Sequence, residues 1–405
     1  LSHILIANNV YPPIMAGGAE LIVSYLAEGL VERGHRVTMV STCGPEMEPY
    51  PVETRNGVEV IRFFPRNLYW SFGRGQQPGY RKALWHLRDA WNADAGMRFN
   101  TVLEESRPDL LHTHLIDGFS AVLWWKAQQH HVPVIHTAHD YHLLCPRAVM
   151  LTKSLKLCTS PTLGCRTYRK WHLRTANGID LFCSPSQFLI DKHLEAGLKA
   201  HAVAKVANGI PLPSPAAKPD DTGICRFVFA ARLTEEKGCN VVLEALKLIP
   251  PDIRLELVVA GRGPYEEPFR QAAAADPRLT FAGYIQGDEK AELFGRSDCL
   301  LLPSLWYENA PVVIVEAAAY GMAVIGSRIG AIPEFVTDGE TGLLFTPGDP
   351  ADLARAMVRL AQDPSQARRL GVNAHPLAER SSVGHMVEAY QAHYDRLLAE
   401  KRKQR

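Results

Sequence analysis

The sequence predicts an α/β protein made of two doubly wound domains. Three observations predict it. Short apolar runs of strand length alternate with helix-length stretches that carry one apolar face. The alternation stops once, in a proline-rich segment, and then restarts. The chain has 405 residues, a length that suits two or three domains.

The first half opens on the apolar run 3–8, HILIAN. Residues 19–33 follow as a helix, with Leu21, Ile22, Tyr25, Leu26 and Leu30 on one face and Gly34 as its terminator. The next strands are 36–42, 109–114, 132–138, 179–184 and 202–207. Continuous apolar strands separated by helices imply a parallel sheet covered on both faces. Residues 211–221, PLPSPAAKPDD, contain four prolines and read as a linker. Beyond it, strands are expected at 226–231, 253–260, 278–282, 298–302 and 322–326, and helices at 239–248, 265–274, 288–296, 311–320 and 350–362. The expected division is a first domain over 1–210, the linker 211–221, a second domain over 222–378, and a C-terminal helix over 379–405 that packs back on the first domain. In such folds ligands bind at the carboxyl ends of the strands, here expected in a cleft between the domains.

Composition bounds the function. The chain has 44 Lys+Arg against 43 Asp+Glu, a net charge of +1, which excludes a globally basic nucleic-acid binder. No apolar run approaches the roughly 18–20 residues that span a bilayer. LSHILIANN lacks the basic and long apolar regions of a secretory signal, so a cytoplasmic location is expected. Leu1 in place of Met fits a non-ATG start translated literally, which suggests a bacterial gene.

Four segments carry candidate chemistry. In WYENAPVVIVEAAAYG, 306–321, Glu308 and Glu316 flank a helix start at Asn309 and Pro311. Such a pair can hold different parts of a polyhydroxylated ligand, beside free helix N–H groups. In AARLTEEKG, 230–238, Arg232 and Lys237 follow a strand and precede a helix, which suits a diphosphate. Their bland alternative is surface pairing with Glu235 or Glu236. In YPPIMAGGAE, 11–20, Gly17 and Gly18 occupy the turn where backbone amides cradle phosphate, although Gly-x-Gly-x-x-Gly is absent. In HTAHDY, 136–141, His139 and Asp140 follow a strand; a histidine there either bonds a substrate hydroxyl or has a structural partner. Gly261 and Gly263 in GRGPYE add a weaker Gly-x-Gly.

With these residues the sequence resembles family 4 of the retaining glycosyltransferases, which have the GT-B fold of two Rossmann-like domains. The resemblance covers nearly the whole chain. It includes the Gly-Gly loop, His139-Asp140, Asn208-Gly209, AARLTEEKG, AGRGP at 260–264, the Glu308/Glu316 pair and IGAIPEFVTDGETGLLFTPGD at 329–349. HDY followed by CPR looks like a subset of that family. The resemblance implies transfer of a sugar from a UDP- or GDP-linked donor to a glycan or lipid-linked acceptor, with retained anomeric configuration and no cofactor. It places Arg232 and Lys237 on the donor diphosphate, Gly18 at the distal phosphate and Gly17 as the shaper of its loop. It places Glu316 on the ribose, and Glu308, Asn309, Ala310 and Pro311 at the sugar. His139 falls near the reacting centre, and Gly261, Arg262 and Tyr284 toward the nucleotide. No Asp-x-Asp occurs in the chain, so no divalent-metal clamp is indicated. A sugar-nucleotide epimerase or phosphorylase of the same fold is the alternative, and a non-catalytic sugar binder a third.

Eight cysteines in a chain without an export signal are expected to be reduced. Cys43, Cys183, Cys225 and Cys299 sit in or beside strand-like runs and read as core. Cys145, Cys158 and Cys165 are clustered, with spacing that gives a metal site only weak support. Two acid-poor basic stretches remain. One holds Arg62, Arg66, Arg74, Arg81, Lys82 and Arg88; the other Arg147, Lys153, Lys156, Arg166, Arg169, Lys170 and Arg174. With Trp70, Trp85 and Trp171 they suit an anionic membrane face, expected to be the inner face of the cytoplasmic membrane, or an anionic lipid-linked acceptor.

Overall fold

A computed structural model describes residues 1–14, 17–48, 50–73, 77–152, 154–213 and 223–404. Arg74, Lys153 and positions 214–221 of the expected linker lie outside the described residues. The chain divides into two compact units: Leu1–Met150, Cys158–Gly209 and Val383–Arg405 form unit 1, and Leu151–Leu157 with Ile210–Ser382 form unit 2.

Unit 1 contains β1 (His3–Ala7), α1 (Gly18–Glu32), β2 (Arg36–Thr42), β3 (Glu53–Arg55), β4 (Val58–Phe63), α2 (Gly79–Asp89), α3 (Ala93–Ser106), β5 (Leu110–Thr113), α4 (Val122–Gln129), β6 (Val134–Thr137), α5 (Leu163–Thr175), β7 (Leu181–Ser184), α6 (Gln187–Glu195) and β8 (Val203–Lys205). Its sheet runs β3-β4-β2-β1-β5-β6-β7-β8 and is parallel except for the β3–β4 pair. That pair, with β4 parallel to β2, was not expected from the sequence: β3 is only three residues and exposed, too short to show a period. Cys43 and Cys183 are fully buried. On α1, Ile22, Leu26 and Leu30 face the core, but Leu21 is exposed, so the apolar stripe is narrower than the sequence suggests. Gly34, at φ +88°, takes the left-handed position that ends α1.

Unit 2 contains β9 (Cys225–Ala230), α7 (Cys239–Leu248), β10 (Leu255–Ala260), α8 (Glu266–Ala275), β11 (Leu279–Gly283), α9 (Gly287–Arg296), β12 (Cys299–Leu302), α10 (Val312–Ala319), β13 (Ala323–Ser327), α11 (Ile332–Phe335), β14 (Gly342–Phe345), α12 (Pro350–Gln362) and α13 (Pro364–Arg380). All strands are parallel in the order β11-β10-β9-β12-β13-β14. Alternation along each strand builds two cores. Cys225, Phe227, Phe229, Leu257, Leu301 and Ile325 pack with Val242, Leu246, Leu353 and Met357 on one face. Val228, Leu300, Leu302 and Val324 pack with Phe294, Ile314 and Ala317 on the other. The central strands β9, β12 and β13 are apolar on both faces because helices cover both, whereas the edge strand β11 leaves Thr280 and Ala282 exposed.

The last helix, α14 (Val383–Gln404), belongs to unit 1. It starts four residues later than expected, because α13 occupies the chain up to Arg380 and residues 379–382 remain with unit 2. α14 lies against α1 at Gly29, where an added Cβ would stand 2.7 Å from Val387 Cγ2. Its inner face is tied to the sheet by polar bonds. His112 bonds the Tyr394 hydroxyl at 2.7 Å and Thr137 Oγ1 at 2.8 Å, and Thr137 bonds the Tyr390 hydroxyl at 2.9 Å.

All of these groups are buried, so each lost partner leaves an unsatisfied polar atom. Tyr394→Phe should lower the stability of unit 1 by about 1–3 kcal/mol, read as an earlier denaturant midpoint. An unchanged midpoint would show that the network contributes nothing net.

Candidate active site

In unit 2 the strand order reverses between β9 and β12. Loops leaving the carboxyl ends of adjacent strands diverge there and leave room for a ligand. Arg232 and Lys237 leave β9, and Glu308 leaves β12, so the backbone topology alone delivers these charges to one place. The two loops are stitched together by Leu305 N–H donating to Glu236 C=O at 2.9 Å.

Glu308 is buried, and three donors converge on its Oε1. Lys237 Nζ stands 2.7 Å away, Ser304 Oγ 2.6 Å and Trp306 Nε1 2.7 Å. Oε2 accepts no bond from the described residues. Lys237 Nζ also sits 4.9 Å from the centre of the Trp306 ring. A buried carboxylate needs a cation and hydrogen bonds to offset its lost hydration, and this one has both. Gly238 holds the turn after Lys237 at φ +80°, with the carbonyl of Pro303 only 2.0 Å from where a Cβ would be. Arg232 differs. It is exposed and has no carboxylate partner among the described residues. The bland pairing of these cations with Glu235 or Glu236 does not occur.

Glu316 lies on α10, as expected from the sequence, but does not share Lys237 with Glu308. It pairs with Lys290 of α9 at 2.6 Å. The helix starts behind Pro311 with no side-chain cap, so its first N–H groups are not spent on one. Asn309 is buried, and Ala310 and Pro311 are half-buried at that entrance. Arg262 lies over the Tyr284 ring at 4.3 Å, and both belong to loops leaving the outer strands β10 and β11. Gly261 and Gly263 have a structural reason to be glycine. A Cβ on either would meet the carbonyl of Ala231 or Leu233 at 1.9 or 2.3 Å, because this loop is laid against AARL by the Leu233 N–H bond to Arg262 C=O.

The remaining expected residues lie in unit 1. Gly17 caps α1 without a side-chain bond, and a Cβ added there would stand 3.4 Å from Glu20 Oε2. An added Cβ on Gly18 would meet open space. His139 is within 3.0 Å of His114, Nε2 to Nδ1, and burial pushes its pKa down to about 4. At neutral pH it is an uncharged hydrogen-bonding group, not a counter-ion. Close by, a cavity of about 560 Å³ is lined by Glu20, Trp85, His86, Asp117, Asp140 and His142, among others. Glu20 Oε2, His86 Nδ1 and His142 Nε2 are buried without a hydrogen-bond partner.

Sequence reasoning missed Lys290, Ser304 and Trp306, and the groups around this cavity. HTHLID at 112–117 carried a signal, since it puts His114 and Asp117 after a strand just as HTAHDY does His139 and Asp140. Nothing in the sequence marked Lys290. Cys145, Cys158 and Cys165 are half-buried free thiols, and among the described residues no group of three His, Cys, Asp or Glu is arranged to hold a metal ion.

Comparison with known proteins agrees with the fold. Residues 225–363 match the family model described as glycosyl transferases group 1, and residues 17–209 match the glycosyl transferase 4-like domain. The chain belongs to the group 1 glycosyltransferases, enzymes of the GT-B architecture. A Klebsiella pneumoniae protein, an uncharacterized 42.6 kDa protein in the cps region, is 29% identical over 82% of this chain and 87% of its own. The glycogen synthase of Mycobacterium tuberculosis is 28% identical over 91% of this chain and 88% of its own. Among solved structures, a Thermosynechococcus elongatus sucrose-phosphate synthase superposes with TM-score 0.77 at 21% identity, covering 99% of this chain and all of that one. Anabaena HepE in complex with UDP-glucose superposes with TM-score 0.68 at 18% identity, covering 99% and 100%.

Two predictions follow from the geometry. Lys237→Ala leaves Glu308 buried without its cation and should cost about 3–5 kcal/mol of unit 2 stability, whereas Arg232→Ala should be neutral. Equal melting temperatures for the two variants would overturn the contrast. Burial, reinforced by Asp117, pushes the Asp140 carboxyl up to about 7. Between about 4 and 7 the unfolded chain is ionised there and the folded one is not, so this group makes the fold less stable as pH rises through that window and adds no further slope above it. Asp140→Asn should flatten that fall in thermal stability; parallel wild-type and variant curves would remove it.

Proposed function

We propose that the chain transfers a sugar from a nucleoside-diphosphate sugar to a glycan or lipid-linked acceptor, retaining configuration and using no divalent metal. The observation that carries this is the charge arrangement at the β9/β12 switch point. An unpaired Arg232 stands in the same short loop as Lys237, whose ammonium is fixed by Glu308. Negative charge grows on the departing diphosphate during glycosyl transfer, and preorganised cations stabilise it most as it develops. Arg232 offers a bidentate fork and Lys237 a point charge. Glu308 directs Oε2 at the sugar hydroxyls while Oε1 stays with its three donors. Asn309, Ala310 and Pro311 bring the uncapped amides of α10 to the same sugar. Glu316 serves the ribose through the oxygen that Lys290 leaves, and Tyr284 with Arg262 offers a flat surface to the base. In HepE the bound ligand is UDP-glucose, which supports a UDP-linked donor here.

For the acceptor, the cavity of unit 1 supplies the chemistry. Its three orphaned polar atoms call for a ligand with several donors and acceptors, and Trp85 beside them gives an apolar wall. A sugar ring meets both demands. We assign the neutral His139 to a substrate hydroxyl and Gly18 to the distal phosphate. The cps-region relative supports a polysaccharide setting. Among the described residues no helix is long and apolar enough to cross a membrane. We assign the chain to the cytoplasmic side of a bacterial cell, where nucleotide sugars are made.

Arg232→Ala should lower kcat/KM for donor turnover by about 10²–10³-fold with the fold intact, measured as release of free nucleoside diphosphate. Wild-type turnover would sink the diphosphate assignment. EDTA should leave the rate unchanged; loss of activity restored by a divalent ion would overturn the metal-free reading.

A further inference from the structure

Unit 1 carries a surface that the transfer reaction does not use. On α2, Tyr80, Leu84 and Leu87 recur at i, i+4 and i+7, so they share one helical face. That face points to solvent: the three are 68%, 51% and 73% exposed. Trp91 extends the row by one more turn. It contacts Trp125 of α4 at 5.7 Å and Trp171 of α5 at 6.1 Å between ring centres, and all three indoles are more than 40% exposed. Isolated exposed apolar residues are ordinary, but a continuous row ending in three clustered tryptophans is not.

The adjoining face of α5 supplies charge. Arg166, Lys170 and Arg174 recur every four residues, all exposed, and none has a carboxylate partner among the described residues. Several other cations in the two basic stretches are consumed internally. Arg62 is buried and paired with Glu53, Arg88 pairs with Asp94, and Arg169 donates to the carbonyl of Leu144. Trp70 donates to Thr42, and Trp85 is buried. What faces solvent is therefore a sorted pattern, an apolar row beside a cationic stripe.

We propose that this face docks on an anionic phospholipid bilayer. The indoles and the α2 row enter the headgroup boundary, and Arg166, Lys170 and Arg174 meet the lipid phosphates. Tryptophan favours that depth because its ring is apolar and its N–H is polar, although the Trp171 N–H already donates to the carbonyl of Ala90 at 2.8 Å. Cations at the surface add attraction that falls away within a Debye length. The inference rests on unit 1 alone and does not depend on the sugar-transfer reading.

The test is co-sedimentation of the full chain with phosphatidylcholine vesicles containing roughly one-third phosphatidylglycerol, at low salt. Wild type should pellet, with its tryptophan emission shifted to the blue, and should not pellet with pure phosphatidylcholine. Arg166→Glu with Lys170→Glu and Arg174→Glu should weaken binding about a hundredfold. Leu84→Ser with Leu87→Ser should weaken it without touching the charges, which guards against a charge variant that fails to fold. UDP-sugar binding should be unchanged in both variants. Wild-type protein that stays in solution, or variants that pellet as it does, would overturn the proposal. So would a self-associating wild type whose dimer dissociates in the Leu84/Leu87 variant, because a second copy would then be the occupant.

Discussion

A buried carboxylate sets the terms for unit 2. Glu308 cannot keep its charge out of water unless donors surround it, and the chain brings them from two strand ends. Lys237 comes from the loop after β9; Ser304 and Trp306 come from the loop after β12. Those loops can meet only because β9 and β12 are neighbours at the reversal of strand order. The neighbouring turn then has no room for a side chain at Gly238. Remove the carboxylate and the position of Lys237, the indole under it and the approach of the two loops all lose their common reason.

The contrast between Lys237 and Arg232 shows how one short loop divides labour. One cation is spent on structure and holds its partner in place. The other is left exposed, without a counter-charge. A site that must bind an anion and release it needs both kinds: one that fixes geometry, and one whose attraction is still available. Unit 1 follows a different logic. Its strand ends carry histidines that burial keeps neutral and carboxyls that burial keeps protonated at higher pH. Hydrogen bonding, more than charge, is what these groups have to offer near neutral pH.

Much of this was legible in the sequence, for identifiable reasons. The central unit 2 strands were visible because helices cover both faces, so their runs are largely apolar. Arg232, Lys237 and Glu308 were visible because they punctuate strand-to-helix turns, and Glu316 because it lies on the helix that follows Glu308. What stayed hidden depends on contacts between distant segments. Lys290 is an ordinary surface lysine until α9 is laid beside α10. Arg62 looked like part of a basic surface, yet it is buried against Glu53, a pairing set by the β3–β4 hairpin that was too short to detect. Trp91, in the turn between α2 and α3, and Trp125, on α4, are unremarkable in sequence and gain meaning only by meeting Trp171. Gly261 looked like a nucleotide loop, and the close approach of Ala231 shows a packing reason that a motif cannot reveal.

The return of α14 to unit 1 bears on how the molecule is made. Residues 210–382 form an uninterrupted stretch that can close its own core as it emerges. Unit 1 cannot, because the helix that binds His112 and Thr137 is translated only after residues 210–382 of unit 2. At about 5–20 residues per second, on the order of ten to forty seconds separate Gly209 from that helix. During this interval the part of the unit 1 sheet around His112 and Thr137 lacks its cover and its tyrosine partners. The nascent chain is thus most vulnerable in unit 1, and removing α14 would damage that unit before unit 2.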